Sequence, residues 1–183
     1  EEIARLKPDT IIVSSQHAEA YADYFEISDG EVVTGSFAQF GAPSITFRAK
    51  YDYELVERIS LMAKIQQFPA GSEGNEERYL DHGTMVPLYF INKYYTSYRL
   101  VRVGLSGLSL VDHYRFGELI KRACDESGKK IVFIASGDLS HCQKEDGPYG
   151  FCNEGPEYDK RVMDVMARGA FGELFDFSSA FLE

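Results

Sequence analysis

Apolar residues along the chain occur either in short continuous runs or at helical spacing, and each pattern predicts a different element. Runs rich in β-branched residues at 10–15, 100–105 and 131–136 are typical of strands buried on both faces of a parallel sheet. Residues 53–67, 111–127 and 159–167 carry apolar side chains three or four positions apart, which predicts helices. This order of segments predicts an α/β domain with a mainly parallel or mixed central sheet covered by helices on both faces.

The segments between these elements are polar or contain glycine and proline. We expect two short strands at 31–34 and 44–47, in an excursion from the main sheet, and loops at 69–77 and 143–156. Gly128 is expected to stop the helix at 111–127. The last helix is expected to bury a face made of Val162, Met163 and Met166.

Length, composition and charge narrow the class of protein. The 183 residues are expected to form one domain covering 1–183, and 44% hydrophobic with 26% charged residues is typical of a globular protein. A formal net charge of −10 disfavours nucleic acid and anionic membranes as partners. We expect a cytoplasmic protein, because no apolar run approaches the roughly 18 residues of a membrane span and no signal peptide is recognisable.

The ends of the chain and its cysteines complete this first picture. The chain starts at Glu1, without a methionine and already in a helical pattern, and it stops at Glu183 without a C-terminal signal. We therefore expect a fragment that lacks both ends of the full domain. Cys124, Cys142 and Cys152 are odd in number and lack zinc-ribbon or CxxC spacing, so we expect reduced thiols.

Three of the four histidines are candidate site residues. His17 and His141 each follow a predicted buried strand by a few residues, at the edge where α/β domains bind ligands. His82 lies between Asp81 and Gly83, where we expect a tight turn or a close backbone approach. We predict that the three imidazoles share one pocket.

The neighbours of these histidines indicate the kind of chemistry. Asp138 and Ser140 precede His141 in a glycine-containing turn, where either side chain could orient the imidazole. His113 lies inside a predicted helix and is expected to be an ordinary surface or packing residue. Imidazoles favour iron, zinc, copper and nickel, so a metal is the leading cofactor class. The G-x-S-x-G elbow of serine hydrolases and the phosphate-loop motif do not occur.

Three segments together resemble a known family. They run from Ile12 to Ala18, from Asp81 to Leu88 (D-H-G-T-M-V-P-L) and from Ala135 to His141 (A-S-G-D-L-S-H). They are similar to the catalytic chains of the class III extradiol ring-cleavage dioxygenase superfamily. Residues 144–159 resemble, more narrowly, the branch called the AmmeMemoRadiSam system proteins.

The resemblance implies a non-haem Fe(II) site held by two histidines and one glutamate, at which a catechol-type substrate reacts with O2. His17 matches a metal histidine of the family, His141 the acid/base histidine, and His82 a further catalytic histidine that contacts substrate or oxygen. The remaining two ligands would lie outside residues 1–183. Gln16 stands where the family usually has proline.

Other roles follow from the same resemblance or stay open beside it. Substrate-binding or orienting roles are expected for Asp81, Asp138 and Ser140. The alternatives are a non-enzymatic, Memo-like binding or scaffold protein, or a partner in radical-SAM-linked modification of another protein. Zinc in place of iron, with hydrolysis by bound water, is a third reading. A fused second domain and a homo-oligomer also stay open.

Overall fold

Strands and helices alternate along the chain in the computed structural model, which describes residues 1–74, 79–178 and 181. The strands are β1 (Thr10–Ser15), β2 (Phe25–Glu26), β3 (Val32–Phe37), β4 (Ala42–Lys50), β5 (Ala70–Gly71), β6 (Arg99–Gly104) and β7 (Ile131–Ser136). The helices are α1 (Glu2–Leu6), α2 (Tyr53–Ile65), α3 (His82–Asn92), α4 (Leu110–Ser127) and α5 (Glu154–Arg168). Short 3-10 helices cover Ala38–Phe40 and Phe171–Asp176. The chain divides into two compact units, Glu1–Gly137 and Asp138–Glu183.

The first unit is built on a sheet of three parallel strands, in the order β6, β1, β7. Ser15 at the end of β1 is in register with Gly104 of β6 and Ser136 of β7. The carboxyl ends of all three strands therefore meet at one edge. Two smaller pairs complete the strands of this unit: β2 with β5 in parallel, and β3 with β4 as an antiparallel hairpin.

Helices cover both faces of this sheet because its central strand is apolar on both. Ile12 of β1 packs in a core that includes residues of α2 and α4. Its neighbours Ile11 and Val13 point to the opposite face, into a core that includes residues of α3 and the β3–β4 hairpin. Adjacent strand residues point to opposite faces, so one continuous apolar run feeds both cores. The predicted α/β class, with a mainly parallel sheet between helices, is confirmed.

Several elements differ from their prediction in extent. The hairpin strands β3 and β4 are longer than the two short strands expected there. The predicted loop at 69–77 contains β5, and its residues 75–77 lie outside the described part of the chain. Of the tight turn or close backbone approach expected at His82, the close approach is found, at Gly83 against Ser15. In place of a tight turn, His82 is the first residue of α3, because the Asp81 side chain caps the helix by accepting a hydrogen bond from the Thr84 N–H at 2.9 Å.

The second unit contains α5, which begins five residues earlier than predicted. Glu154, Gly155 and Pro156 form its first turn, where a proline needs no N–H partner. The predicted apolar face is also wrong, since Met163 and Met166 are exposed and Val165 is buried instead. Within the described ranges, none of the helices has the length and apolar character needed to cross a membrane.

Candidate active site

His17 and His82 lie in direct contact near the carboxyl end of β1. His17 follows the last residue of β1 by two positions, and His82 begins α3. Their ring centroids are 3.8 Å apart and their planes are inclined by 35°. The Gln16 side-chain nitrogen lies 3.4 Å from Nε2 of His17, and the Phe40 ring meets His82 edge-on with 5.6 Å between centroids. The structure thus brings together two of the three predicted site histidines.

Asp81 ties both histidines to the fold. Its Oδ1 accepts hydrogen bonds from Ser15 Oγ at 2.6 Å and from the Thr84 N–H in the first turn of α3. Its Oδ2 accepts another from Thr84 Oγ1 at 2.8 Å. Ser15 Oγ in turn accepts the backbone N–H of His17 at 3.1 Å. One carboxylate therefore fixes the helix start at His82 and, through Ser15, the backbone at His17.

Arg102, in the middle of β6, neutralises this carboxylate from inside the protein. Its side chain is 0% exposed, and its Nη1 donates to Asp81 Oδ2 at 3.2 Å and to the Tyr79 carbonyl at 3.0 Å. Its Nε donates to Ser28 Oγ at 2.8 Å. Burial alone would raise the pKa of Asp81, but its hydroxyl and amide donors and the Arg102 charge lower the pKa below its ordinary value. Asp81 is therefore an anion at neutral pH.

The glycine and the proline of the D-H-G-T-M-V-P-L segment, Gly83 and Pro87, both have a structural role at the start of α3. A Cβ at Gly83 would collide with Ser15 Oγ and come within 3.2 Å of Cδ2 of His17. Because Pro87 has no N–H, the Gly83 carbonyl four residues earlier lacks its usual helical donor. It accepts a hydrogen bond from Ser136 Oγ, at the end of β7, at 2.6 Å instead. These two residues let the start of α3 pack tightly on the ends of two strands.

His113 has a different set of partners within the first unit. Its Nδ1 lies 2.9 Å from the Ser109 carbonyl and its Nε2 accepts the Ser106 N–H at 3.4 Å. Its ring packs edge-on against Phe25, with 4.7 Å between centroids. Both ring nitrogens therefore have hydrogen-bond partners within the protein, which agrees with the expected role of His113 as a packing residue.

His141 belongs to the second unit. Its Nε2 lies 3.5 Å from Oδ2 of Asp138, and its ring stacks on Tyr149 with 4.9 Å between centroids. The side chains of His141 and Asp138 are 52% and 53% exposed, so water screens their interaction. The expectation that His141 shares a pocket with His17 and His82 stays a prediction.

A cleft of about 480 Å³ within the second unit opens beside His141. Its walls include Asp138, Ser140 and both Cys142 and Cys152. The Ser140 N–H donates to Oδ1 of Asp159 at 2.9 Å, and Ser140 Oγ accepts the Cys142 N–H at 3.2 Å. Ser140 therefore stabilises the turn after His141, and its predicted role towards a substrate stays a prediction.

The described residues do not form a metal site. His17 and His82 place two imidazoles in contact, and imidazole is a donor type that suits iron or zinc. The oxygens of the neighbouring Asp81 already accept hydrogen bonds from Ser15, Thr84 and Arg102. Across 1–74, 79–178 and 181, no three His, Cys, Asp or Glu side chains are placed to hold a metal ion. The described residues thus do not form a full ligand set.

Sequence reasoning does not identify Arg102 or Phe40 as parts of this site. Arg102 does leave a signal, because a charged residue between Val101 and Val103 in a buried strand requires a buried partner. Phe40 leaves none, since it reaches His82 only through the turn of the β3–β4 hairpin.

Comparisons with known proteins identify the family of this chain. The family model described as the catalytic LigB subunit of aromatic ring-opening dioxygenase matches residues 1–182. Protein CA_C1420 of Clostridium acetobutylicum is 38% identical over 181 residues, which cover 95% of this chain and 39% of the relative. The chain thus spans about two fifths of the length of that curated relative, whose name states no activity. Because the family model covers nearly the whole chain, the chain belongs to the family of the catalytic LigB subunit of aromatic ring-opening dioxygenases.

Proposed function

We propose that the complete protein is an extradiol-type dioxygenase that opens the ring of a catechol-type substrate with O2 in the cytoplasm. The observation that carries the proposal is the contact between His17 and His82 near the carboxyl end of the central parallel strand, in a member of this family. Open α/β sheets bind their ligands beyond the carboxyl ends of their strands. Membership of the AmmeMemoRadiSam branch stays a prediction.

His17 is proposed as a ligand of ferrous iron, with zinc as the alternative metal. Support comes from its position after β1 and from the preference of these metals for neutral imidazole. The remaining protein ligands are proposed to come from sequence outside these 183 residues. Bound ferrous iron would supply the electron exchange between the aromatic diol and O2, for which imidazole and carboxylate ligands leave open positions.

His82 and His141 are proposed to move protons. A catechol has to lose its hydroxyl protons to react with O2, and imidazole is the side chain best suited to take up a proton and return it near neutral pH. Asp81 supports this role for His82, since it fixes the helix start from which the imidazole projects. Asp138 and Tyr149 support it for His141, since both contact its ring.

The test uses the complete protein loaded with Fe(II), with iron content and O2 uptake measured on a panel of catechols. Wild type should consume O2, and His17→Ala should lose iron and activity together. His141→Ala should keep iron and fold but lose about 10²- to 10⁴-fold in turnover, the usual effect of removing a general acid or base. His113→Gln is the matched control and should keep both iron and turnover.

Three outcomes would contradict the proposal in different ways. Loss of iron in His141→Ala would make His141 a metal ligand instead of a proton carrier. Absence of O2 uptake on every catechol would favour the binding, scaffold or protein-modifying role. Tightly held zinc with hydrolytic activity would favour the hydrolase.

A further inference from the structure

Cys142 and Cys152 lie opposite each other across the loop that follows His141. Gln143 and Phe151 form an antiparallel bridge, and the Cys152 N–H donates to the Cys142 carbonyl at 3.2 Å. The two cysteines are therefore directly opposite at the next position of the ladder, where Cα atoms are about 5.5 Å apart. Disulfides form at Cα separations of about 4.4–6.8 Å. The Cα spacing typical of this ladder position therefore lies within the range that a disulfide spans.

The two thiols are neighbours and are accessible to a small reagent. The neighbouring Cys152 thiol raises the pKa of Cys142, and Cys142 Sγ donates a hydrogen bond to the Tyr149 carbonyl at 3.8 Å. Both side chains are half-buried and line the cleft beside His141. Cys142 is therefore held as a protonated thiol next to a partner that an oxidant can reach through the cleft.

We propose that Cys142 and Cys152 form a peroxide-responsive dithiol that closes reversibly to a disulfide. Hydrogen peroxide oxidises the Cys152 thiol to a sulfenic acid and is itself reduced, releasing one water. The Cys142 thiol then gives up its proton and its Sγ attacks the Cys152 sulfur, so that an S–S bond forms, the S–O bond breaks and the leaving hydroxide takes up the proton to give a second water. Two thiols and one peroxide thus give one disulfide and two waters, and a small dithiol reverses the reaction.

The disulfide would close the loop that carries Tyr149, the ring on which His141 stacks. Oxidation would therefore act on the surroundings of the proposed acid/base residue, and this consequence alone rests on the proposed function. Cys124 serves as an internal control, because it lies in α4 of the first unit, outside the 142–152 loop, and burial raises its pKa to about 11.

The test exploits the fact that trypsin places the three cysteines in three different peptides. Cys124 falls in 123–129, Cys142 in 131–144 and Cys152 in 145–160. The complete protein is treated with hydrogen peroxide, its remaining thiols are alkylated in denaturant, and the digest is analysed by mass spectrometry with and without dithiothreitol. The expected product is a cross-link between 131–144 and 145–160 that dithiothreitol removes, with 123–129 alkylated.

Serine variants assign the two steps. Cys124→Ser should keep the cross-link, whereas Cys142→Ser should lose it and leave a sulfenic acid on Cys152 that dimedone traps. The proposal is overturned if wild type, after peroxide, yields Cys142 and Cys152 as separate alkylated or over-oxidised peptides. It is also overturned if cross-links to Cys124 are as abundant. This readout involves no turnover, so its failure is distinguishable from failure of the proposed function.

Discussion

Replacing Arg102 by methionine tests the buried network beneath the histidine pair. Arg102 is 0% exposed and the side chain of its partner Asp81 is 7% exposed, so the substitution leaves a buried carboxylate without its cation. Removing one partner of a buried ion pair costs about 3–5 kcal/mol. Because methionine is a long, flexible side chain that fills much of the same space, the loss should come mainly from the uncompensated charge.

The assay is urea unfolding at neutral pH, followed by circular dichroism. With a slope of about 2 kcal/mol per molar urea, the expected loss lowers the midpoint by about 1.5–2.5 M. Arg99→Met, an exposed position on the same strand, is the matched control and should change the free energy of unfolding by less than about 0.5 kcal/mol. Equal midpoint shifts for the two variants would refute the idea that Arg102 compensates Asp81.

Acid dependence gives a second check on the same pair. The pKa of Asp81 is lowered in the folded state, so its contribution to stability is present above the unfolded pKa of about 3.9 and is lost as pH falls through the folded value. Arg102→Met should raise the folded pKa. The difference in stability between wild type and variant should therefore narrow below about pH 4, and a constant difference would contradict the assigned charge state.

Two further stability predictions follow from close approach and from charge. Gly83→Ala should destabilise the protein by about 1–3 kcal/mol, because the added Cβ collides with Ser15 Oγ. Gly117→Ala, where α4 leaves open space for a Cβ, should stabilise the protein by about 0.5–1 kcal/mol. Thermal unfolding of both variants checks these two values. Asp52→Asn should cost about 1–3 kcal/mol at pH 7 by removing the charge that pairs with Lys129 at 2.7 Å. Burial would raise the pKa of Asp52, but hydrogen bonds, led by the one from Lys129, lower it below its ordinary value. The difference in stability between wild type and Asp52→Asn should therefore disappear as the pH falls below about 4, which urea unfolding at a series of pH values checks.

Elements whose formation depends on a few adjacent residues are predicted well from the sequence. The run at 10–15 and the helix stop at Gly128 agree with the structure, because apolar continuity and a left-handed glycine at φ 67° are properties of a few adjacent residues. The start of α5 is missed because glycine and proline usually mark loops, although a proline in a first helical turn costs nothing.

The candidate site is predicted from the sequence only where a residue follows a recognisable strand. His17 can be placed because β1 ends two residues before it, whereas the helix that starts at His82 is missed although Asp81 is a residue type that caps helices. The contact of Phe40 with His82 depends on how the β3–β4 hairpin packs, which no short-range pattern encodes. Arg102 is an intermediate case, since its position signals a buried partner without saying that the partner is Asp81.

Isotope labelling of the product tests the central claim most directly. The complete, Fe(II)-loaded protein is given a catechol-type substrate under heavy-isotope O2, and the product is analysed by mass spectrometry. The account predicts a ring-opened product that contains both labelled oxygen atoms, and no such product from His17→Ala. Recovery of unchanged catechol, or of a product with a single labelled atom, would contradict it.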